Sequence, residues 1–225
     1  MHHPTGLPGL ARAVRDLHLD GVEHMEIDYA ASSLGAVNDT FLHRIHLAVR
    51  GIDFDARTPP SGIRKDFRIY FPTKDTVEQS TGGPDCAGMV SLAPSYYKAS
   101  TFPKECLRDY DSTRRGMLSH NKLLFARGRK RDGKPVAWVY VGSANMSESA
   151  WGGQKVLKSG NVGSLNIRNW ECGVVMPVPV DALGSPSASG GEVPPMSVFA
   201  NTVEVPFHWP GAEYGRRQPW HYRES

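Results

Sequence analysis

The sequence predicts an α/β domain whose mixed β-sheet is flanked by helices. Runs of β-branched and aromatic residues alternate with stretches of helical periodicity, the pattern of layered α/β folds. Two such runs, 119–127 and 136–143, are separated only by a turn-forming segment. They therefore pair as an antiparallel hairpin, and the sheet cannot be wholly parallel. With 225 residues and 40% apolar content, the chain can bury one core of ordinary size.

In chain order, residues 1–26 are punctuated by Pro, Gly and His and read as a connection, with the domain proper running from 27 to 225. A helix starts at Asn38-Asp39-Thr40, where Phe41, Leu42, Ile45 and Val49 form a near-helical apolar stripe ending at Arg50. Residues 51–65 are a loop. The segment DFRIYFP at 66–72 alternates Phe67, Ile69 and Phe71 against Arg68 and Tyr70, a strand stopped by Pro72. A short helix opens near Thr73 or Asp75 and ends before Thr81-Gly82-Gly83-Pro84. Weak helical turns occupy 88–111, the hairpin follows, a helix begins after Asn145, and a strand spans about 165–176. Residues 181–197, rich in Ser, Gly and Pro, have little to bury and read as a mobile surface loop.

The hairpin carries the most informative residues. In 119–127, His120, Lys122 and Leu124 share one face, and Asn121, Leu123 and Phe125 the other. Asp132-Gly133 marks the turn. With Arg127 opposite Val136, His120 falls opposite Ser143, so a gap of 23 positions between Lys122 and Asn145 closes in space. Asn145 or Ser147 then caps the following helix, whose free N–H groups would face the same spot. Lysine supplies a permanent charge for a phosphoryl oxygen, the asparagine amide donates to another, and histidine carries a proton near neutral pH. That combination points to phosphodiester chemistry without a metal.

Composition narrows the classes further. The net charge is only +3, so any nucleic-acid contact must come from local patches. Three cysteines, Cys86, Cys106 and Cys172, without a C-x-x-C pair, argue against a disulfide framework and against zinc. Neither a metal nor a cofactor is expected. No apolar run is long enough to span a bilayer, so no membrane partner is expected.

Several of these residues have ordinary roles as well. Asn145 can be simply a helix cap, and Lys122 an exposed strand lysine. Ser33, Ser143 and Ser147 could donate to phosphate or DNA backbone, but serine beside glycine or at a helix start also serves turns and caps. Of the basic group Arg127, Arg129, Lys130, Arg131 and Lys134, the residues from Arg129 to Lys134 lie at the turn end, about 20 Å from His120 for roughly seven strand residues, and the group reads as a solvated turn before a DNA contact. Trp151, Trp170, Trp209 and Trp220 read as core, with one exposed ring plausible at Trp209 or Trp220.

His-x-Lys with a downstream Gly-Ser-x-Asn resembles the phospholipase D superfamily, where an Asp normally stands at the position of Arg127. Its absence is characteristic of the tyrosyl-DNA phosphodiesterase branch. SSLG at 32–35, YFPTKDTVEQSTGG at 70–83, GSANMSESAWG at 142–152, IRNWECGVV at 167–175 and VPFHWPGAEYGRRQPW at 205–220 resemble segments of that family's C-terminal half in the same order. The likeness covers about 27–222.

The resemblance implies a phospholipase D-like domain, one half of a two-half enzyme whose halves each contribute a His-x-Lys-Asn set to one cleft. This chain has a single His-x-Lys; none of its other eight histidines has a lysine two residues on. The partner would be an N-terminal half carrying the nucleophilic histidine, and Glu171 would orient that histidine. The implied substrate is DNA with a 3′-phosphotyrosyl or similar adduct, hydrolysed during nuclear DNA repair through a phosphohistidine, with His120 as general acid and base. Two other readings remain open: a half-domain that binds phosphate or DNA without turnover, and a homodimeric phosphodiesterase in which two copies supply the two sets.

Overall fold

The computed structural model describes residues 4–54, 57–184 and 193–221. Its centre is a six-stranded mixed sheet in the order β5-β3-β1-β6-β7-β8. The strands are β1 (Val22–Ala30), β3 (Phe67–Phe71), β5 (Leu107–Asp109), β6 (Lys122–Lys130), β7 (Pro135–Gly142) and β8 (Gly173–Pro177). A separate parallel pair joins β2 (Ser33–Leu34) to β4 (Ser91–Leu92). β1, β3 and β5 run parallel, whereas β6, β7 and β8 join antiparallel, which gives the mixed sheet the hairpin requires.

Alternation along β1 splits the interior into two cores. Met25, Ile27 and Tyr29 enter one, shared with α1 (Gly6–Asp16), α2 (Asp39–Val49) and Trp151 of α5 (Glu148–Trp151). Two further short α-helices, α3 (Lys74–Glu78) and α4 (Pro94–Lys98), complete the α-helices among the described residues. The opposite face holds Ala30, Phe125, Val139, Phe199 and Phe207 and is covered by irregular chain near the C-terminal end. That face also carries a buried ionic network. Arg127 donates to Asp28 at 2.7 Å and to Glu26 at 3.0 Å, and Arg68 donates to Asp28 at 2.8 Å. Tyr70 and Trp209 each reach the same carboxylate at 3.1 Å.

Several expectations change. Residues 1–26, read as a connection, hold α1 and the start of the central strand; Leu7, Leu10, Ala11 and Val14 are buried, an apolar helical face that the Pro and Gly punctuation hid. The hairpin register is shifted by one, with Arg127 opposite Ala137 instead of Val136. The cause is the turn: Lys130 pairs with Lys134, Gly133 adopts φ 79°, and three residues rather than two close the loop. The strand expected over 165–176 is only β8, because the amides of Arg168 and Asn169 bond the carbonyl of Ser149 instead of a ladder. Of the loop expected at 181–197, residues 185–192 lie outside the described residues, but Met196 is buried and Pro194 accepts from Arg127. Trp170, expected in the core, is fully exposed at 102%.

Candidate active site

Lys122 opens β6 on the face of the first core and is only 5% exposed. Buried ammonium groups need partners. Nζ donates to Ser32 Oγ at 2.8 Å and to the His120 carbonyl at 2.6 Å, so among the described residues one of its three N–H groups remains for a ligand. Desolvation pushes the Lys122 pKa down, and the Glu171 carboxylate partly opposes this. His120, just before the strand, is exposed. Partial burial and then the Lys122 charge hold its pKa below the ordinary histidine value, which favours the neutral imidazole.

Asn145 arrives from the far end of β7. Its Oδ1 accepts from the Ser33 backbone N–H at 3.0 Å and from Ser32 Oγ at 3.3 Å. Among the described residues, no protein acceptor takes its Nδ2. The turn that carries it is held on both sides: Tyr29 donates to the Ala144 carbonyl at 2.7 Å, and the Ala144 amide donates to Tyr140 at 3.3 Å. Gly35 lets β2 approach closely, since a Cβ there would meet Ser147 Cβ at 2.8 Å, and its amide donates to the Met146 carbonyl at 3.0 Å. The SSLG segment therefore runs against the residues that follow the hairpin.

The expected residues separate into groups. Lys122 and Asn145 meet at one serine, and Lys122 also bonds the backbone carbonyl of His120, two positions earlier in the chain. Ser33 contributes its backbone N–H to that meeting point. Ser143 instead pins Cys172, accepting from its amide at 2.9 Å and donating to its carbonyl at 3.2 Å. Ser147, not Asn145, caps α5, accepting from the Ala150 amide at 3.3 Å. Because α5 has four residues, the helix-end anion cradle expected there is not built. Glu171 precedes β8 and accepts from Asn169 at 2.9 Å. It lines a cavity of about 600 Å³ together with Leu10, Tyr140, Trp151 and Trp170.

Arg127 belongs to the ionic network on the opposite face, and the turn cations have nearby partners: Arg131 with Glu23 at 2.8 Å, Lys134 with Asp132 at 2.7 Å, and Lys130 with the His18 carbonyl at 2.8 Å. Ser32 was missed by sequence reasoning. Its only sequence signal is a serine pair ahead of Leu34-Gly35. Among the described residues, no three His, Cys, Asp or Glu side chains cluster as a metal site would require.

The family model described as Tyrosyl-DNA phosphodiesterase matches residues 1–215. The chain belongs to the tyrosyl-DNA phosphodiesterase family. A probable tyrosyl-DNA phosphodiesterase of Caenorhabditis elegans is 46% identical over 130 residues, 53% of this chain and 27% of the worm protein. Crystal structures of yeast tyrosyl-DNA phosphodiesterase share the fold. One superposes with a TM-score of 0.62 at 18% identity, covering 98% of this chain and 53% of the yeast chain. A histidine-to-arginine mutant of the yeast enzyme gives 0.63 at 18% identity, over 97% and 54%. This member of the tyrosyl-DNA phosphodiesterase family thus spans about half the length of the yeast chains and matches about a quarter of the worm protein.

Proposed function

We propose that this chain supplies the proton-transfer half of a tyrosyl-DNA phosphodiesterase acting on 3′-phosphotyrosyl and related 3′-adduct DNA in nuclear repair. The observation that carries the reading is the convergence of Lys122 and Asn145 on Ser32 beside His120. Among the described residues, a lysine N–H and an amide NH₂ are left without protein acceptors, as a phosphoryl group with developing negative charge requires.

The chemistry divides in two. A histidine from the partner half attacks phosphorus; the P–N bond forms, the P–O bond to tyrosine breaks, and the departing phenolate takes the proton of the His120 imidazolium. Water then attacks phosphorus, its proton passes to the now neutral His120, and the P–N bond breaks to leave a 3′-phosphate. A phenolate of pKa near 10 leaves far more readily when protonated, and a histidine can give and retake that proton near neutral pH. Lys122 and Asn145 hold the non-bridging oxygens, and Lys122 takes the charge role a cation would otherwise fill, so no metal step is invoked. Exposed Trp170 and Val174 flank Glu171, which supports completion of the site by another polypeptide at that edge.

The test is single-turnover cleavage of 3′-phosphotyrosyl oligonucleotide after a first-half polypeptide is supplied, with EDTA present. His120→Ala should accumulate covalent protein–DNA adduct, whereas Lys122→Ala should slow its formation. Equal defects in both steps for both variants would overturn the division of roles. Binding of DNA without turnover in the reconstituted mixture would replace this reading by that of a phosphate-binding half-domain.

A further inference from the structure

Ser32 opens the SSLG segment without being one of the expected site residues, yet it is the group through which Lys122 and Asn145 meet. Its residue is 2% exposed, and its Oγ lies 2.8 Å from Lys122 Nζ and 3.3 Å from Asn145 Oδ1. An ammonium has donors only, so Lys122 must donate to this oxygen. The single hydroxyl proton is then directed to Asn145 Oδ1. The Ser33 amide donates to the same oxygen at 3.0 Å, which places two donors on it. A flipped amide would set its NH₂ against the Ser33 N–H and leave that donor unpaired, a cost of about 1–3 kcal/mol for a buried group.

We propose that Ser32 is a positioning residue that locks the Asn145 amide with its NH₂ edge free, so that Lys122 and Asn145 offer two donors to one phosphate. This deepens the proposed function and rests on its reading of Lys122 and Asn145 as phosphate ligands. The relay runs one way, from the lysine N–H through the serine O–H to the amide oxygen, because the lysine cannot accept. Removing the hydroxyl leaves the Asn145 side chain held by the Ser33 amide alone, while its backbone stays fixed. Tyr29 holds the Ala144 carbonyl independently at 2.7 Å and is itself fixed by Trp151 Nε1 at 2.7 Å.

The experiment uses the full chain, its Ser32→Ala and Asn145→Ala variants and the double variant. In free protein, the NMR coupling across the hydrogen bond from the Ser33 amide nitrogen to the Asn145 side-chain carbonyl carbon should be present in the parent and lost or weakened in Ser32→Ala. Affinity for a single-stranded oligonucleotide with a 3′-phosphate, read by fluorescence anisotropy against the 3′-hydroxyl control, should fall about tenfold in Ser32→Ala, the scale of one hydrogen bond to a charged group. Asn145→Ala should lose a similar factor, and the double variant should be no worse than Asn145→Ala alone.

Multiplying losses, an undiminished coupling in Ser32→Ala, parent affinity in that variant, or no preference of the parent for the 3′-phosphate would each overturn the proposal. The coupling is measured without ligand and the cycle without turnover, so a failure to cleave DNA would remove the enzymatic reading while leaving this result to stand on its own.

Discussion

Lys122 acts on His120 electrostatically, because its ammonium is buried and bonded to the His120 carbonyl and to Ser32. Its charge disfavours the imidazolium, one of the two causes of the lowered His120 pKa. Lys122→Met keeps an unbranched chain in the buried slot and removes that charge. The His120 pKa, followed by NMR titration of the full chain, is expected to rise toward the ordinary histidine value. In the completed enzyme the protonated form would then persist to higher pH, which extends the leaving-group step and delays the water-activation step on the alkaline side. An unchanged or lower His120 pKa in this variant would contradict the coupling. At this scale the approach of Lys122 and Asn145 was legible, because hairpin pairing brings the start of one strand near the end of the next. Ser32 was not, since its role exists only once β2 lies against the turn after β7, a contact between residues 113 positions apart.

Local signals and long-range contacts contribute differently to the elements. The start of α2 was readable from Asn38, whose side chain accepts from the Phe41 amide at 3.0 Å. The hairpin was readable as a hairpin, but its register depended on whether two or three residues close the turn, and Gly133 in the left-handed region decides that. Helix α1 and the short β5 were missed because their apolar residues find partners only in tertiary packing. Within α2, His46 is buried, and its pKa is lowered from 6.5 to about 4 by desolvation and then by Arg50 and two neighbouring histidines, despite Asp66 at 3.5 Å. Above pH 6.5 the His46 contribution to stability is fully present. As pH falls from 6.5 toward 4 the unfolded chain takes up a proton that the folded chain refuses, and roughly 3 kcal/mol is lost across that window. The raised pKa of Asp66 acts in the opposite sense. His46→Gln should therefore flatten the stability–pH curve between those limits in chemical denaturation; an unaltered slope would refute the assignment.

Taken as a whole, the molecule places its proposed phosphate ligands and its buried ionic network on opposite faces of the sheet. Lys122 faces the core shared with α1 and α2, whereas Arg127, five positions later on the same strand, points to the other side. There Asp28, fully buried, joins Arg127, Arg68, Tyr70 and Trp209, and so links β1, β3, β6 and the C-terminal chain. Asp28→Ala would leave Glu26 as the one carboxylate facing buried Arg127 and half-buried Arg68, and a loss of about 3 kcal/mol is expected by urea unfolding. A loss below about 1 kcal/mol would show that water or rearrangement satisfies the network. The fold class was legible because strand and helix periodicities alternate and one hairpin forces a mixed sheet. The covering of the second face was not, since residues 193–207 pack as irregular chain broken only by one 3-10 turn at Met196–Phe199.

The half-site account is tested most directly by single-turnover incubation of the purified 225-residue chain alone with 3′-phosphotyrosyl oligonucleotide, its solution mass measured under the same conditions. One imidazole at this site cannot serve both as nucleophile and as the acid for the leaving phenolate. The account predicts a monomer that releases no product within the time in which a mixture with a first-half polypeptide completes its turnover. Robust cleavage by the monomer would contradict it, and cleavage by a dimer would transfer the missing His-x-Lys set to a second copy of this chain.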